Sequence, residues 1–188
     1  MLVVADWAHY SWLDRSQPAR NERARAEASA QLLGQYPQLA EAATAQLPWF
    51  SATLSRPAFA RLARLSAALA RAQSLRLVVT AQARTELESA MGACPVTALQ
   101  CHPCANRSDL RFDAPVDLFN RHTLTAAGLA ILMRASSGAG QRLWLQLRLP
   151  REYAQAAARW RLPDVAPQAA LELVGEAMAL LEARRRAC

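Results

Sequence analysis

The chain has 188 residues, 53% apolar and 20% charged, and its net charge of +7 comes from arginine alone: the 22 basic residues include no lysine. A chain of this length buries a core without disulfide or metal staples, no run of about 18 or more apolar residues offers a membrane span, and the opening MLVVADWAHYSW lacks the parts of a secretory signal. What remains is one helical domain over 1–188 in the cytoplasm, since Ala and Leu abound while Ile and Val are scarce, and Cys94, Cys101, Cys104 and Cys188 are expected as reduced thiols. The positive charge would suit nucleic acid or anionic lipid, but a solvated basic surface is the simpler reading.

Residues 1–20 form an arm or cap in which Trp7, Tyr10, Trp12 and Leu13 can plant large side chains on the body of the domain. Asn21 is placed to cap a helix that Gly34 ends, and Leu39 to Leu47 is a shorter helical candidate closed by Pro48, before a loop with Trp49 and Phe50. Ser55-Arg56-Pro57 starts a helix running to about Gln73, with Phe59, Leu62, Ser66 and Leu69 on one face. Leu75 to Val79 is strand-like or a buried link, and Thr80 caps a helix through Met91. Cys101 to Ala114 reads as the long loop of the chain and its expected mobile region.

Pro115 opens a helical pattern through about Ala135 whose wide apolar coverage implies a central helix, and Ser136 to Gly140 is a linker. Leu143, Leu145, Leu147 and Leu149 alternate with Trp, Gln and Arg, a period of two that permits a strand, although a buried helix is favoured for want of a partner strand. The Leu-Pro pairs at 149–150 and 162–163 mark sharp joints between helices. Pro150 opens a helix through Arg161, and Pro167 opens the last, where Arg184-Arg185-Arg186 complements the dipole. The expected fold is therefore mainly α, a compact multi-helix orthogonal bundle, with a minor two-stranded element of 75–79 against 142–149 as the alternative for those segments.

Cys101-His102-Pro103-Cys104 is the most chemical motif. Two thiolates from one turn suit tetrahedral zinc, and Cys94 with His102 or His122 could complete the set. A second close pair is missing, so no metal or other cofactor is assigned, and structural thiols are the simpler reading of Cys94, Cys101, Cys104 and His102. A redox or nucleophilic role needs a stabilised thiolate, which a polar loop does not offer. With three histidines and no G-x-S-x-G or phosphate loop, an enzyme has no support. Asp109, Asp113 and Asp117 recur near a helix start, where capping is their ordinary use.

Three stretches carry a family resemblance: RPAFARLARLSAALARAQSLRLVV from Arg56, TELESAMGACPVTALQ from Thr85, and GLAILMRASSGAGQRLWLQLRLP from Gly128. From about Trp49 to Asp164 the sequence resembles the SctK-like accessory proteins of the type III secretion sorting platform. That resemblance implies a non-enzymatic cytosolic adaptor, held peripherally at the inner membrane by its partners. Those would be the cytosolic domain of an SctD-like ring protein and an SctQ-like pod protein, and indirectly SctL-like and ATPase components, with no nucleic acid. Exposed aromatics and arginines dominate such interfaces, which makes Trp7, Trp12, Arg61, Arg64, Arg71, Trp160 and Arg161 the candidate partner contacts. The alternative is a small basic regulatory or nucleic-acid-binding helical domain with a Cys-rich zinc site.

Overall fold

Residues that favour helix and lack bulk at the branch point give this chain ten helices among the residues described by the computed structural model, which are 4–13, 21–40, 54–91, 96–110, 120–162 and 165–187, with side chains described as far as 183. They are α1 (Val4–Trp7), α2 (Glu22–Gln35), α3 (Arg56–Ala70), α4 (Ala72–Leu75), α5 (Ala81–Met91), α6 (Val96–Gln100), α7 (Arg121–Arg134), α8 (Ala139–Leu147), α9 (Arg151–Ala157) and α10 (Pro167–Ala187). Tight 3-10 turns occupy Tyr10–Trp12 and Pro103–Asn106. The mainly α architecture is as expected.

Local chemistry sets the starts of the longer helices. The Asn21 side chain accepts from Ala24 N at 2.7 Å, Ser55 from Ala58 N at 3.4 Å with Pro57 in the first turn, Thr80 from Ala83 N at 3.3 Å, and Asn120 from Thr123 N at 2.7 Å. Each satisfies a backbone donor that the helix itself leaves open.

α3 and α7 share the largest helix-helix interface, and α10 lies against both. Leu124 through Leu132 are all buried, as are Leu62 through Ala70, so these two helices are covered on nearly every side. Small residues let their backbones meet: Gly128 faces the Ala63 carbonyl so closely that no side chain fits between them. Hydroxyls buried at the same interface turn back onto their own helix, Ser66 Oγ donating to Leu62 O at 3.0 Å and Thr125 Oγ1 to Arg121 O at 2.7 Å. Around this pair α8 and α9 pack on α7, α5 on both, and α1 on α2.

The segment 4–13 is fastened to residues 144–151 by a ladder of polar bonds inside an apolar seam. Trp7 Nε1 donates to Trp144 O at 2.7 Å, Trp12 Nε1 to Leu149 O at 2.8 Å, His9 N to Leu147 O at 2.7 Å, and Arg151 N to Ser11 Oγ at 2.9 Å. Trp144 in turn donates to Leu39 O at 3.2 Å, and its ring meets Trp7 edge-on at 5.6 Å. The cap expected at the N-terminus thus sits on the first Leu-Pro joint, with Trp7, Trp12 and Leu13 buried and Tyr10 left outside.

Several expectations need correction. The two-stranded alternative does not form, since 142–147 lie within α8, and Leu75 closes α4 while residues 76–79 turn outward. The alternating leucines resolve as a helix because Trp144, Leu145 and Leu147 all find the core, which helical spacing permits and a one-sided strand would not. Leu77 and Val79, read as a buried link, are 81% and 70% exposed. The supposed mobile loop is packed over 101–110: Cys104 and Ala105 are buried, Leu110 N donates to Ala70 O at 2.9 Å, and Asp109 accepts from Gln73 N and Ser74 N at 3.0 and 3.1 Å. Asp109 thus caps α4 rather than the helix that follows it in sequence. The helix opened by Pro150 stops at Ala157, short of Arg161. Residues 41–53, 92–95 and 111–119 lie outside the described residues, and with them most of the Leu39 to Leu47 candidate, Trp49, Phe50, Cys94, Asp113, Asp117 and the Pro115 helix start.

Candidate functional site: an arginine-lined cavity

Among the candidate partner contacts, Trp7 and Trp12 are core residues, 6% and 7% exposed, and spend their N–H groups on the chain itself. Arg71 is half-buried, with its Nε 3.8 Å from the Asp109 carboxylate and a terminal nitrogen donating to Leu110 O, so it ties the α3–α4 joint to the 101–110 segment. Trp160 is half-buried against the core and Arg161 exposed. Arg61 is half-buried and Arg64 buried, both on α3.

Of the proposed metal ligands, Cys94 is outside the described residues and the rest do not converge: no cluster of three or more His, Cys, Asp or Glu able to hold a cation occurs among the described residues. Cys101 is exposed and Cys104 buried. His102 Nδ1 accepts from Cys104 N at 3.2 Å, which makes it the cap of the 3-10 turn, and its Nε2 lies 3.6 Å from a Glu176 oxygen on α10. Burial pushes the Cys104 thiol up, and the Glu176 carboxylate adds to the effect. Such a thiol is a poor nucleophile. Iodoacetamide at neutral pH should therefore alkylate Cys101 and spare Cys104 until denaturant is added, as resolved by peptide mass spectrometry. Modification of Cys104 in the native protein at the rate of Cys101 would instead mark an activated thiol.

The concentration of unusual chemistry lies elsewhere. A cavity of about 590 Å³ opens between the start of α3, the start of α7, the 9–10 turn and the Leu149-Pro150 joint. Arg56, Arg64, Arg121 and Arg148 line it together with His9 and Tyr153, over an apolar floor that includes Pro57, Ala60 and Leu149. Two of the arginines are held by backbone carbonyls. Arg56 donates to Asp6 O at 2.8 Å and Ala8 O at 2.6 Å, closing the end of α1. Arg148 donates to Leu54 O, and its guanidinium lies 4.0 Å above the centre of the Trp7 ring, a cation-π contact.

The charges in this cavity act on one another. Burial lowers the pKa of Arg64 to about 10, with Arg121 and then Arg61 adding repulsion, yet at neutral pH it remains a cation. Arg148 is lowered by burial and then by Arg56, and His9 by burial and then by Arg56, which keeps the imidazole neutral at neutral pH. With four guanidinium groups along it, the site favours an anion.

A larger cavity of about 680 Å³, lined by Val78, Ala83, Leu87, Ala90, Asn120 and Arg121 among others, lies on the other side of the α7 start. Val78, which lines it, stands in the chain between the exposed Leu77 and Val79. Comparison with known family models, curated protein sequences and solved structures finds no match. No helix among the described residues is long and apolar enough to cross a membrane.

Proposed function

We propose that this chain is a non-enzymatic adaptor that binds other proteins through its surface. The observation that supports the reading is the apolar knuckle at Leu77 and Val79, exposed yet rigidly supported. Gln100 Nε2 donates to Leu75 O at 2.8 Å and Val78 O at 3.3 Å, Arg84 Nε to Val78 O at 3.1 Å, and Arg76 to Asn106 Oδ1 at 2.8 Å. A turn braced in this way presents its apolar side chains in a fixed pose, so a partner covering them loses little conformational freedom. The neighbouring 680 Å³ cavity supplies a recess into which a partner side chain fits.

The sequence resemblance to SctK-like proteins supplies the identity of the partners: the cytosolic domain of an SctD-like ring protein on one side and an SctQ-like pod protein on the other, in the cytoplasm beneath the inner membrane. The nucleic-acid-binding alternative draws less support, because Arg64 and Arg148 turn into a cavity instead of extending along a face that a duplex could follow. Pull-down with the ring and pod proteins encoded nearby tests the adaptor. The unsubstituted chain should retain at least one of them, and a Leu77→Asp, Val79→Asp double variant should lose that partner at least about tenfold while melting within a few degrees of the parent, since both side chains face water. Failure of the unsubstituted chain to retain either protein removes the reading.

A further inference from the structure

Arg64 presents an anomaly that folding alone does not explain. It is 5% exposed, its Nε is fully buried without a hydrogen-bond partner, and no ion pair reaches it among the described residues. Buried charges are ordinarily paired, because a guanidinium taken out of water keeps the cost of its lost hydration unless an anion replaces it. Arg148 shares part of the pattern: it is half-buried with its terminal nitrogen on Leu54 O, but its Nε is buried without a hydrogen-bond partner. Both line the 590 Å³ cavity beside Arg56 and the exposed Arg121, and among the described residues no Asp or Glu lines it. Glu152 of α9 acts on neighbouring His9, too weakly to offset burial and Arg56.

We propose that this cavity is a binding site for a phosphate group carried on a small organic body, with Arg64 and Arg121 as its principal ligands and Arg56 and Arg148 adding charge from the wall. Charge selects phosphate over a lone carboxylate. Four guanidinium groups around one space are balanced better by a dianion than by a single negative charge, and the planar forks of Arg64 and Arg121 match pairs of phosphate oxygens. Size selects more than the bare ion: 590 Å³ is the volume of a small-molecule pocket, and Pro57, Ala60, Leu149 and Pro150 provide an apolar bed for the body that bears the phosphate. Arriving negative charge also relieves the mutual repulsion of Arg64, Arg121 and Arg61, so binding and stability are linked. The inference is independent of the adaptor reading and stands whether or not a protein partner binds at Leu77 and Val79.

The test uses the full chain with inorganic pyrophosphate as the probe, measured by calorimetric titration and by melting at neutral pH against chloride of equal ionic strength. Pyrophosphate should bind and raise the melting temperature while chloride does not. Arg121→Ala, at an exposed position where folding is safe, should weaken binding about tenfold or more, and Arg142→Ala, exposed on α8 away from the cavity, should leave it unchanged. Arg64→Lys keeps the charge but loses the fork and should also weaken binding; if it does not fold, Arg121→Ala carries the test. A second arm sediments the protein with phosphatidylcholine vesicles with and without phosphatidic acid. Sedimentation abolished by Arg121→Ala assigns the phosphate to a lipid headgroup, and binding of soluble pyrophosphate alone assigns it to a free phosphorylated molecule. Equal melting in pyrophosphate and chloride, equal loss in Arg121→Ala and Arg142→Ala, or retention of a glutamate-rich peptide in place of pyrophosphate overturns the proposal.

Discussion

Gly128→Ala should destabilise the protein by on the order of 3 kcal/mol or prevent it from folding, although in an exposed helix the same change stabilises by about 1 kcal/mol. The Cβ of an alanine at 128 would lie 1.7 Å from Ala63 O, 2.3 Å from Ala63 C and 2.8 Å from Ala63 Cα, all backbone atoms of α3. No rotamer change relieves contact with backbone. The two helices would have to separate by more than an ångström, and every apolar contact along their shared face would loosen with them, from Phe59 and Leu62 on one side to Leu129 and Leu132 on the other. Gly175→Ala is the matched control. It lies inside α10 with open space where the Cβ would stand, so it should be neutral or stabilising by up to about 1 kcal/mol. Urea unfolding followed by circular dichroism reads both; a Gly128→Ala midpoint at or above the parent would mean that α3 and α7 do not cross this closely.

Trp144→Ala should cost about 4 kcal/mol, the range for removing a fully buried aromatic, and so remove much of the stability of a domain of this size. Trp144 is 1% exposed and joins three parts of the chain: its N–H satisfies Leu39 O, its backbone carbonyl receives Trp7 Nε1, and its ring takes the edge of Trp7. Truncation leaves a cavity and an orphaned Leu39 carbonyl together. Trp144→Phe separates these contributions, since a ring remains while the donor is lost, and about 1–3 kcal/mol is expected. Because 4–13 leans on this side chain, limited proteolysis should cut that segment faster in Trp144→Ala than in the parent. Equal unfolding midpoints and equal cleavage in parent and variant would remove Trp144 from the centre of the seam.

Most of the helical scaffold was legible because its signals are local. Ser55 with Pro57, Asn21 and Thr80 each announce a start within one turn, and the stripe of Phe59, Leu62 and Leu69 is carried by one segment. The joint at Leu149-Pro150 was also readable, since proline acts on its immediate neighbours. What failed depended on distant partners. Leu77 and Val79 look like strand in isolation, but the carbonyls around them are taken by Gln100 and Arg84, so the segment turns outward. Polar residues from 101 to 110 resemble a loose loop until Asp109 and Leu110 find the ends of α3 and α4.

The arginine cavity was half legible. Arg64 was singled out as a surface contact, yet RLARLSAALA leaves no polar face beyond it, and that absence of a solvent side is the signal that it turns inward. Arg56, Arg121 and Arg148 come from separate segments, and no spacing rule joins them. Trp7 and Trp12, read both as side chains planted on the body and as partner contacts, take the first of these roles. Their indole donors have acceptors at Trp144 and Leu149, across nearly the whole chain.

That seam has a consequence for synthesis on the ribosome. Residues 4–13 leave the exit tunnel well ahead of the carbonyls that hold Trp7 and Trp12, which belong to residues 137 positions later, so the two indoles wait for their acceptors through that stretch of translation even though α1 already has α2 and Arg56 beside it. During that interval the two indole donors stay open to chaperones, and docking of 4–13 is completed only once α8 and the Leu149-Pro150 joint have been made.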